Sequence, residues 1–329
     1  VHSIGTQDTA FDLTTADRHR IVVAGTGPDG VGTHVTGTSV LVAAPGALTT
    51  GGSTASSGLG ATAVTAGVVA LMLEANPNLG WRDVQEILAA ASYAPPPSAA
   101  GFTTNGADGW NGGGMHFSND LGFGVLDANV AVNLARAWTL QSTDANLLQA
   151  TQTQGAGWSV AAGATASSRM QVTADARVEH VQVQISDSGL LAAYSTLVLI
   201  SPDGTRSVLN DRTGLVQGVD QTGRLDLTGY SITSNAFWGE LAQGSWTLQA
   251  SNFAGQTATI GSWSLTLWGD AAGNAAPALI YTPEFARLAA ADAGRTIVDP
   301  AGQGTRTIAL IAMTGASTLD LNGGSGQID

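Results

Sequence analysis

From Ala61 to Glu74 the chain is small or apolar on every side, which predicts a helix without a polar face. The run falls short of the ~20 apolar residues a membrane span needs, so the pattern predicts a helix buried at the centre of a large domain. Gly67 in its middle predicts close approach by another backbone. Asn76-Pro77 ends the helix, because proline cannot continue the hydrogen-bond ladder. Trp81, Val84, Ile87 and Leu88 then recur at helical spacing, with Gly80 as N-cap and Asp83 in the first turn. Asp127 to Trp138 reads as a third helix, packed through Val130, Leu134 and Trp138. The short apolar runs Ile21–Ala24 and Ser39–Ala43 suit strands covered on both faces, as in a parallel α/β sheet.

Beyond residue 139 the pattern changes. Residues 139–157, rich in Gln, Thr, Ala and Gly, read as a linker. Val181, Val183 and Ile185 alternate with polar neighbours, as do Trp246, Leu248 and Ala250, and then Trp263, Leu265 and Leu267. A two-residue period means antiparallel strands with one wet face, and residues 158–270 predict a β-sandwich of the jelly-roll kind. Ser201 to Gly204 predicts a turn. Residues 271–329 predict a further Gly- and Asp-rich unit opening on a short helix, Tyr281–Ala290, with Phe285, Leu288 and Ala289 inward. Pro95 to Pro97 and Gly101 to Gly114 predict a long irregular segment.

The 329 residues carry a net charge of −13, and all twelve basic residues are scattered arginines. Neither nucleic acid nor an anionic membrane surface suits such a chain as partner. With no cysteine, disulfides, thiol catalysis and zinc–thiolate sites are excluded. No charged n-region followed by an apolar h-region stands near Val1, so no signal peptide is read there.

Ala70 to Leu88 (ALMLEANPNLGWRDVQEIL) closely resembles the segment after the catalytic serine in subtilisin/kexin-like serine proteases, and Leu121–Ala128 with Trp138 resembles the close of their catalytic domain. Val178–Val181, Ser201–Ser207, Phe237–Glu240, Gly244–Leu248 and Trp263–Gly269 resemble, in order, the P domain that follows it. The match departs at Leu190–Ser195, and the resemblance implies that the irregular segment before Leu121 is a surface excursion. The resemblance implies a partial α/β subtilisin-like domain at 1–138, with a parallel sheet and a buried central helix, and a P domain that packs on it and steadies it. It implies secretion, with a bacterial type of export, and a peptide or protein substrate. It also implies a nucleophile in Gly-Thr-Ser-x-Ala-x-Pro at the start of the apolar helix. Here the serine position falls on Leu59 and the proline position on Ala63. The family's Asp, His, Ser order places the other triad segments before Val1. Calcium is possible by the same resemblance, and Leu319–Asp329 resembles the run-in to glycine–aspartate calcium repeats, although a plain glycine turn accounts for one imperfect copy.

His2, His19 and His34, with Asp8, Asp12, Asp17 and Asp29, lie in polar loop-like stretches, and a triad is a geometry before it is an inventory. They read as solvated residues. Gly37-Thr38-Ser39 repeats the nucleophile tripeptide, but a strand follows Ser39 in place of a helix, and Ser57 needs a local shift to serve. His116 reads as a satisfied surface histidine, and Glu240 and His180 as surface or packing residues. No catalytic, cofactor or metal residue is therefore assigned. Two functions remain: the C-terminal part of a secreted endopeptidase, inactive by itself, or a protease-derived module that binds or supports.

Overall fold

The computed structural model describes residues 1, 8–9, 13–27, 32–33, 36–50, 53–56, 58–95, 101–212, 227–271, 279–291 and 308–310. Strand β1 (Val22–Thr26) lies parallel to β3 (Val40–Pro45), and β2 (Gly32–Thr33) pairs antiparallel with β1. A separate hairpin joins β4 (Ala47–Thr50) and β5 (Ser53–Ser56). Helices α1 (Gly58–Ala75) and α2 (Trp81–Ala90) follow, then β6 (Ser92–Tyr93), the hairpin of β7 (Thr103–Thr104) and β8 (His116–Phe117), β9 (Val125–Leu126) and helix α3 (Ala128–Ala137). The main sheet runs β2-β1-β3-β9-β6, parallel through β1, β3 and β9 and antiparallel at both edges. Every residue of β1, and all of β3 except Pro45, is buried.

Local chemistry fixes these ends. Asp127 Oδ1 accepts from the amides of Asn129 (2.9 Å) and Val130 (3.0 Å), capping α3. Asn76, just past α1, donates its amide to the carbonyls of Ala135 and Trp138, both at 2.9 Å, binding α1 to the end of α3. Gly80 caps α2 from a site where a Cβ would come within 1.9 Å of the Ser142 carbonyl oxygen. Asp83 is buried there and accepts from the Gly80 amide (2.7 Å), the Ser142 amide (2.9 Å) and Trp138 Nε1 (3.0 Å).

Helix α1 differs from its expected burial. It packs on β1, β3 and α3 through Ala61, Thr65, Val68 and Met72. Its other side is open, with Leu59 at 70%, Leu71 at 51% and Val64 at 45% exposure. Among the described residues nothing lies within 4 Å of where a Gly67 Cβ would sit, so none of them makes the expected backbone crossing. An all-apolar helix surface requires cover on both sides; here the sheet supplies one.

The second half is a sandwich of two antiparallel sheets. One contains β10 (Leu148–Gln154), β18 (Ala258–Ala271), β13 (Ala176–Ser188) and β16 (Ser231–Ser234), with β11 (Trp158–Val160) also on β18. The other orders β12 (Thr165–Val172), β17 (Gly244–Asn252), β14 (Ser195–Ile200) and β15 (Arg206–Asp211). Trp246, Trp263 and Phe237 are fully buried between them. The Ser201–Gly204 turn forms, with the Gly204 amide donating to the Ser201 carbonyl (3.0 Å) at φ +88°. The linker reading is corrected at 148–154: these residues pair along β18 from Gly269 to Trp263, and their alternating half-burial, with Leu148 the one large apolar side chain among them, kept the strand hidden.

The chain then returns to the first domain. Strand β19 (Leu279–Ile280) and helix α4 (Phe285–Ala291) lie against the 109–111 segment, and β20 (Ile308–Ala309) pairs parallel with β19. The expected helix is present with Phe285 buried, but Ile280 joins the core of the first domain, so residues 279–291 are not a freestanding unit. The calcium-repeat reading at 319–329 lies outside the described residues.

Candidate functional site

Leu59, where the sequence resemblance puts the serine position, is the second residue of α1 and the most exposed large apolar side chain described. Its side chain has no group to deprotonate. Ser57, His2, His34, Asp12 and Asp29 lie outside the described residues. Ser39 is buried at 5% exposure, its Oγ has no hydrogen-bond partner among the described residues, and its carbonyl accepts from Asn235 (2.9 Å). Among the described residues no imidazole hydrogen-bonds to it. His19 and Asp17 do pair, Nδ1 to Oδ1 at 2.9 Å, but both are exposed, and the other ring nitrogen faces Asp144 at 3.5 Å. Asp8 forms a backbone bridge with Thr36. Among the described residues, Ser39, His19, Asp17 and Asp8 do not form a hydrogen-bonded triad.

The buried polar chemistry lies where the two domains meet. Arg82, on α2 and 1% exposed, donates from Nε (2.8 Å) and Nη2 to Glu179 on β13, and from Nη2 to Asp270 on β18 at 2.6 Å. Its Nη1 donates to the Thr143 carbonyl and Asn146 Oδ1, both at 3.1 Å. Burial opposes the guanidinium charge, but the bonds and charges of Glu179 and Asp270 outweigh it and raise the Arg82 pKa. Burial leads for Glu179 too, and pushes that carboxyl up against the pull of Arg82.

His180 is the second link, and of the surface and packing roles left open by the sequence its burial selects packing. It is 3% exposed, with Nδ1 2.8 Å from Asn235 Oδ1 and Nε2 2.8 Å from Gln85 Oε1, its ring 5.0 Å from that of Trp238. Burial, reinforced by Arg18, Arg82 and His19, lowers its pKa to about 4 against the pull of Asn235. Glu240 is the third. It is 1% exposed and accepts from the Gly106 amide (2.8 Å) and the Thr205 hydroxyl, while burial raises its pKa. Asn105 adds bonds to the carbonyls of Ala236 (3.0 Å) and Trp238 (2.9 Å). The 101–114 segment is therefore an interface element, not a surface excursion. Only the alternation of β13 bore on His180 in sequence, and it placed the residue on the wet face; that face is the one the first domain covers.

His116 is also buried, at 5%, and its Nε2 sits 3.0 Å from Glu284 Oε2. Glu284 also accepts from the Ala94 amide (3.1 Å) and from Arg287. Burial works against its ionised form, but His116, Ala94 and Arg287 together hold its carboxyl below the usual range. Asn111 completes the attachment through Thr282, with Nδ2 to Oγ1 at 3.0 Å and the Thr282 amide to Oδ1 at 2.8 Å. Because the Glu284 pKa is depressed, its contribution is complete above the ordinary carboxylate value of 4.5 and is lost as pH falls through the folded value. Glu284→Gln is expected to weaken the docking of 279–291 by ~1.5–3 kcal/mol, the cost of losing charged hydrogen bonds. Hydrogen exchange at those amides checks this, with accelerated exchange at neutral pH expected in the variant and no change in β13 or β18.

Between α2, the 107–115 loop, the sandwich and Ile280 lies a cavity of about 70 Å³. Glu86 lines it, partly buried, and burial together with Glu179, Asp270 and Asp83 pushes its carboxyl up to about 8 against the pull of Arg82. Among the described residues no group of three or more His, Cys, Asp or Glu side chains is placed to hold a metal ion.

An α/β layer headed by α1, joined through buried ions to an antiparallel sandwich, is the arrangement of a subtilisin/kexin-like protein with a P domain, and the chain is a relative of that class. Residues 178–267 match the proprotein convertase P-domain family. Furin-like protease 2 of Drosophila melanogaster is 31% identical over 218 residues, 63% of this chain and 12% of its own length. Neuroendocrine convertase 2 of the same species is 33% identical over 216 residues, 62% of this chain and 31% of its own. Human proprotein convertase subtilisin/kexin type 6 is 30% identical over 63% of this chain and 22% of its own length. The chain thus spans less than a third of each of these relatives. The serine protease of Aeromonas sobria has the same fold over 80% of this chain and 60% of its own, with a TM-score of 0.66 at 22% identity.

Proposed function

We propose that this chain is the C-terminal part of a secreted kexin-like serine endopeptidase whose P domain braces the peptidase layer, and that by itself it does not cleave peptides. Leu59 at the nucleophile position carries the second statement. Loss of the nucleophile in a triad enzyme costs about a millionfold in turnover. The open apolar side of α1 supports the first: Leu59, Val64, Leu71 and Leu73 form a surface that further strands of a peptidase domain would cover. The three buried links at the domain junction support the bracing role. A peptide or protein substrate follows from the family.

The second reading, a protease-derived module that binds or supports, rests on the same leucine. Incubation with a labelled peptide library and a serine-reactive fluorophosphonate separates activity from its absence. No inhibitor-sensitive cleavage and no labelling are expected, for the chain and for Leu59→Ser alike, since no imidazole converges on that position among the described residues. Inhibitor-sensitive cleavage by the unmodified chain would refute the proposal. Adding a separately produced upstream peptidase segment then distinguishes the two readings: recovery of a cooperative, more stable fold favours the endopeptidase part, and no association favours the module.

A further inference from the structure

We propose that the cavity at the domain junction is a binding site for a small organic monocation, an alkylammonium or alkylguanidinium group on a short apolar stem. The walls and the charge both point there. Trp110, Trp238, Met115 and Ile280 supply apolar and aromatic surface, and cations bind well over indole faces when water is excluded. Glu86 supplies the charge. Its carboxylate makes no hydrogen bond or ion pair with any described residue, whereas its neighbours are engaged: Glu179 and Asp270 with Arg82, and Arg177 with Asp108 (3.1 Å) and the Gly239 carbonyl (2.8 Å).

A charge count leads to the same ligand. Glu86, Glu179 and Asp270 line the cavity with Arg177; Arg82 pairs with Glu179 and Asp270, and Arg177 with the exposed Asp108, which leaves the lining short of a cation for Glu86. A carboxylate that no side chain neutralises in such a place is held neutral by a proton or paired by a guest. The volume, about 70 Å³ where a single water needs ~10–15 Å³, admits a head group and a few methylenes but excludes a large molecule. A monocation of that size places its charge on Glu86 and its stem against the tryptophans. Binding converts Glu86–COOH and the cation into an ion pair and one proton released to solvent, so charge and atoms balance.

The site is tested on the full chain by calorimetry with n-butylammonium, n-butylguanidinium and the neutral alcohol 1-pentanol, at pH 7 and pH 9. A blocked arginine, Nα-acetyl-arginine amide, distinguishes a peptide side chain from a free amine as the source of the head group. Saturable 1:1 binding of at least one cation is expected, with proton release at pH 7 that disappears at pH 9, and none for 1-pentanol. Glu86→Gln, which keeps the shape of the protonated acid, is expected to weaken binding at least tenfold without loss of the folded spectrum. Ala90→Leu fills the cavity from α2 and is expected to abolish binding by a different route. No saturable binding of any cation at either pH, or equal binding by Glu86→Gln, overturns the proposal.

Discussion

Arg82→Met is expected to destabilise the protein by ~3–5 kcal/mol, because it leaves the buried Glu179 and the partly buried Asp270 without their cation. The cost comes less from a lost bond than from two carboxylates stranded in a place water hardly reaches. Neutralising the whole cluster should therefore restore much of it. Arg82→Met with Glu179→Gln and Asp270→Asn is expected to recover more than half of the loss, since an apolar or neutral replacement of a complete buried network is often tolerated. Urea unfolding of the single and triple variants checks both statements. A loss below ~1 kcal/mol in the single variant would mean that the guanidinium does not hold the two domains together.

The second large effect is a pH profile set by two buried groups of opposite type. The folded chain keeps His180 neutral down to about pH 4 and Glu86 protonated up to about pH 8, against ordinary values of 6.5 and 4.5. Between pH 4.5 and 6.5 the unfolded chain holds one proton on the imidazole and the folded chain one on the carboxyl, so the contributions of these two groups cancel there, and the raised Glu179 and Glu240 carboxyls add a decline that begins above 4.5 in parent and variant alike. Above pH 6.5 the unfolded chain holds neither while the folded one still holds the Glu86 proton. Stability then falls toward pH 8, by ~1–2 kcal/mol once water in the cavity is allowed for. Glu86→Gln is expected to remove that fall, seen as the difference between the parent and variant curves, and to leave the His180 contribution alone, a rise of ~3 kcal/mol from pH 4 to 6.5. Chemical denaturation across pH 4–9 reads both curves. If the variant declines above pH 6.5 as the parent does, Glu86 is not the group responsible.

Most of the helices and the sandwich were legible because each has a period of its own. Val130 and Leu134 mark the inner side of α3, and the alternation through Val181, Val183 and Ile185 marks β13. The ends of α1 and α2 were legible from Asn76-Pro77 and Gly80, whose chemistry is local. The junction was not. His180 and Glu240 are polar residues on strands or turns, and a one-dimensional pattern assigns such positions to water; their partners, Gln85 and Gly106, lie 95 and 134 residues away. His116 was missed in the same manner, since Glu284 lies 168 residues beyond it. The overestimate of α1 burial has the opposite origin. An apolar surface shows that a helix requires cover and is silent about whether the cover is present.

The attachment at 279–291 closes a circuit. The polypeptide departs from the first layer after Trp138, builds both sheets of the sandwich, and comes home to Gly109 and Asn111. Two anchorages on one body make each the other's tether: when either lets go, the second keeps the freed surface at a high local concentration, and rejoining is favoured over escape. A bond that would be marginal between separate molecules thus becomes durable, and the grip of the two halves exceeds what Arg82, His180 and Glu240 would provide as isolated contacts.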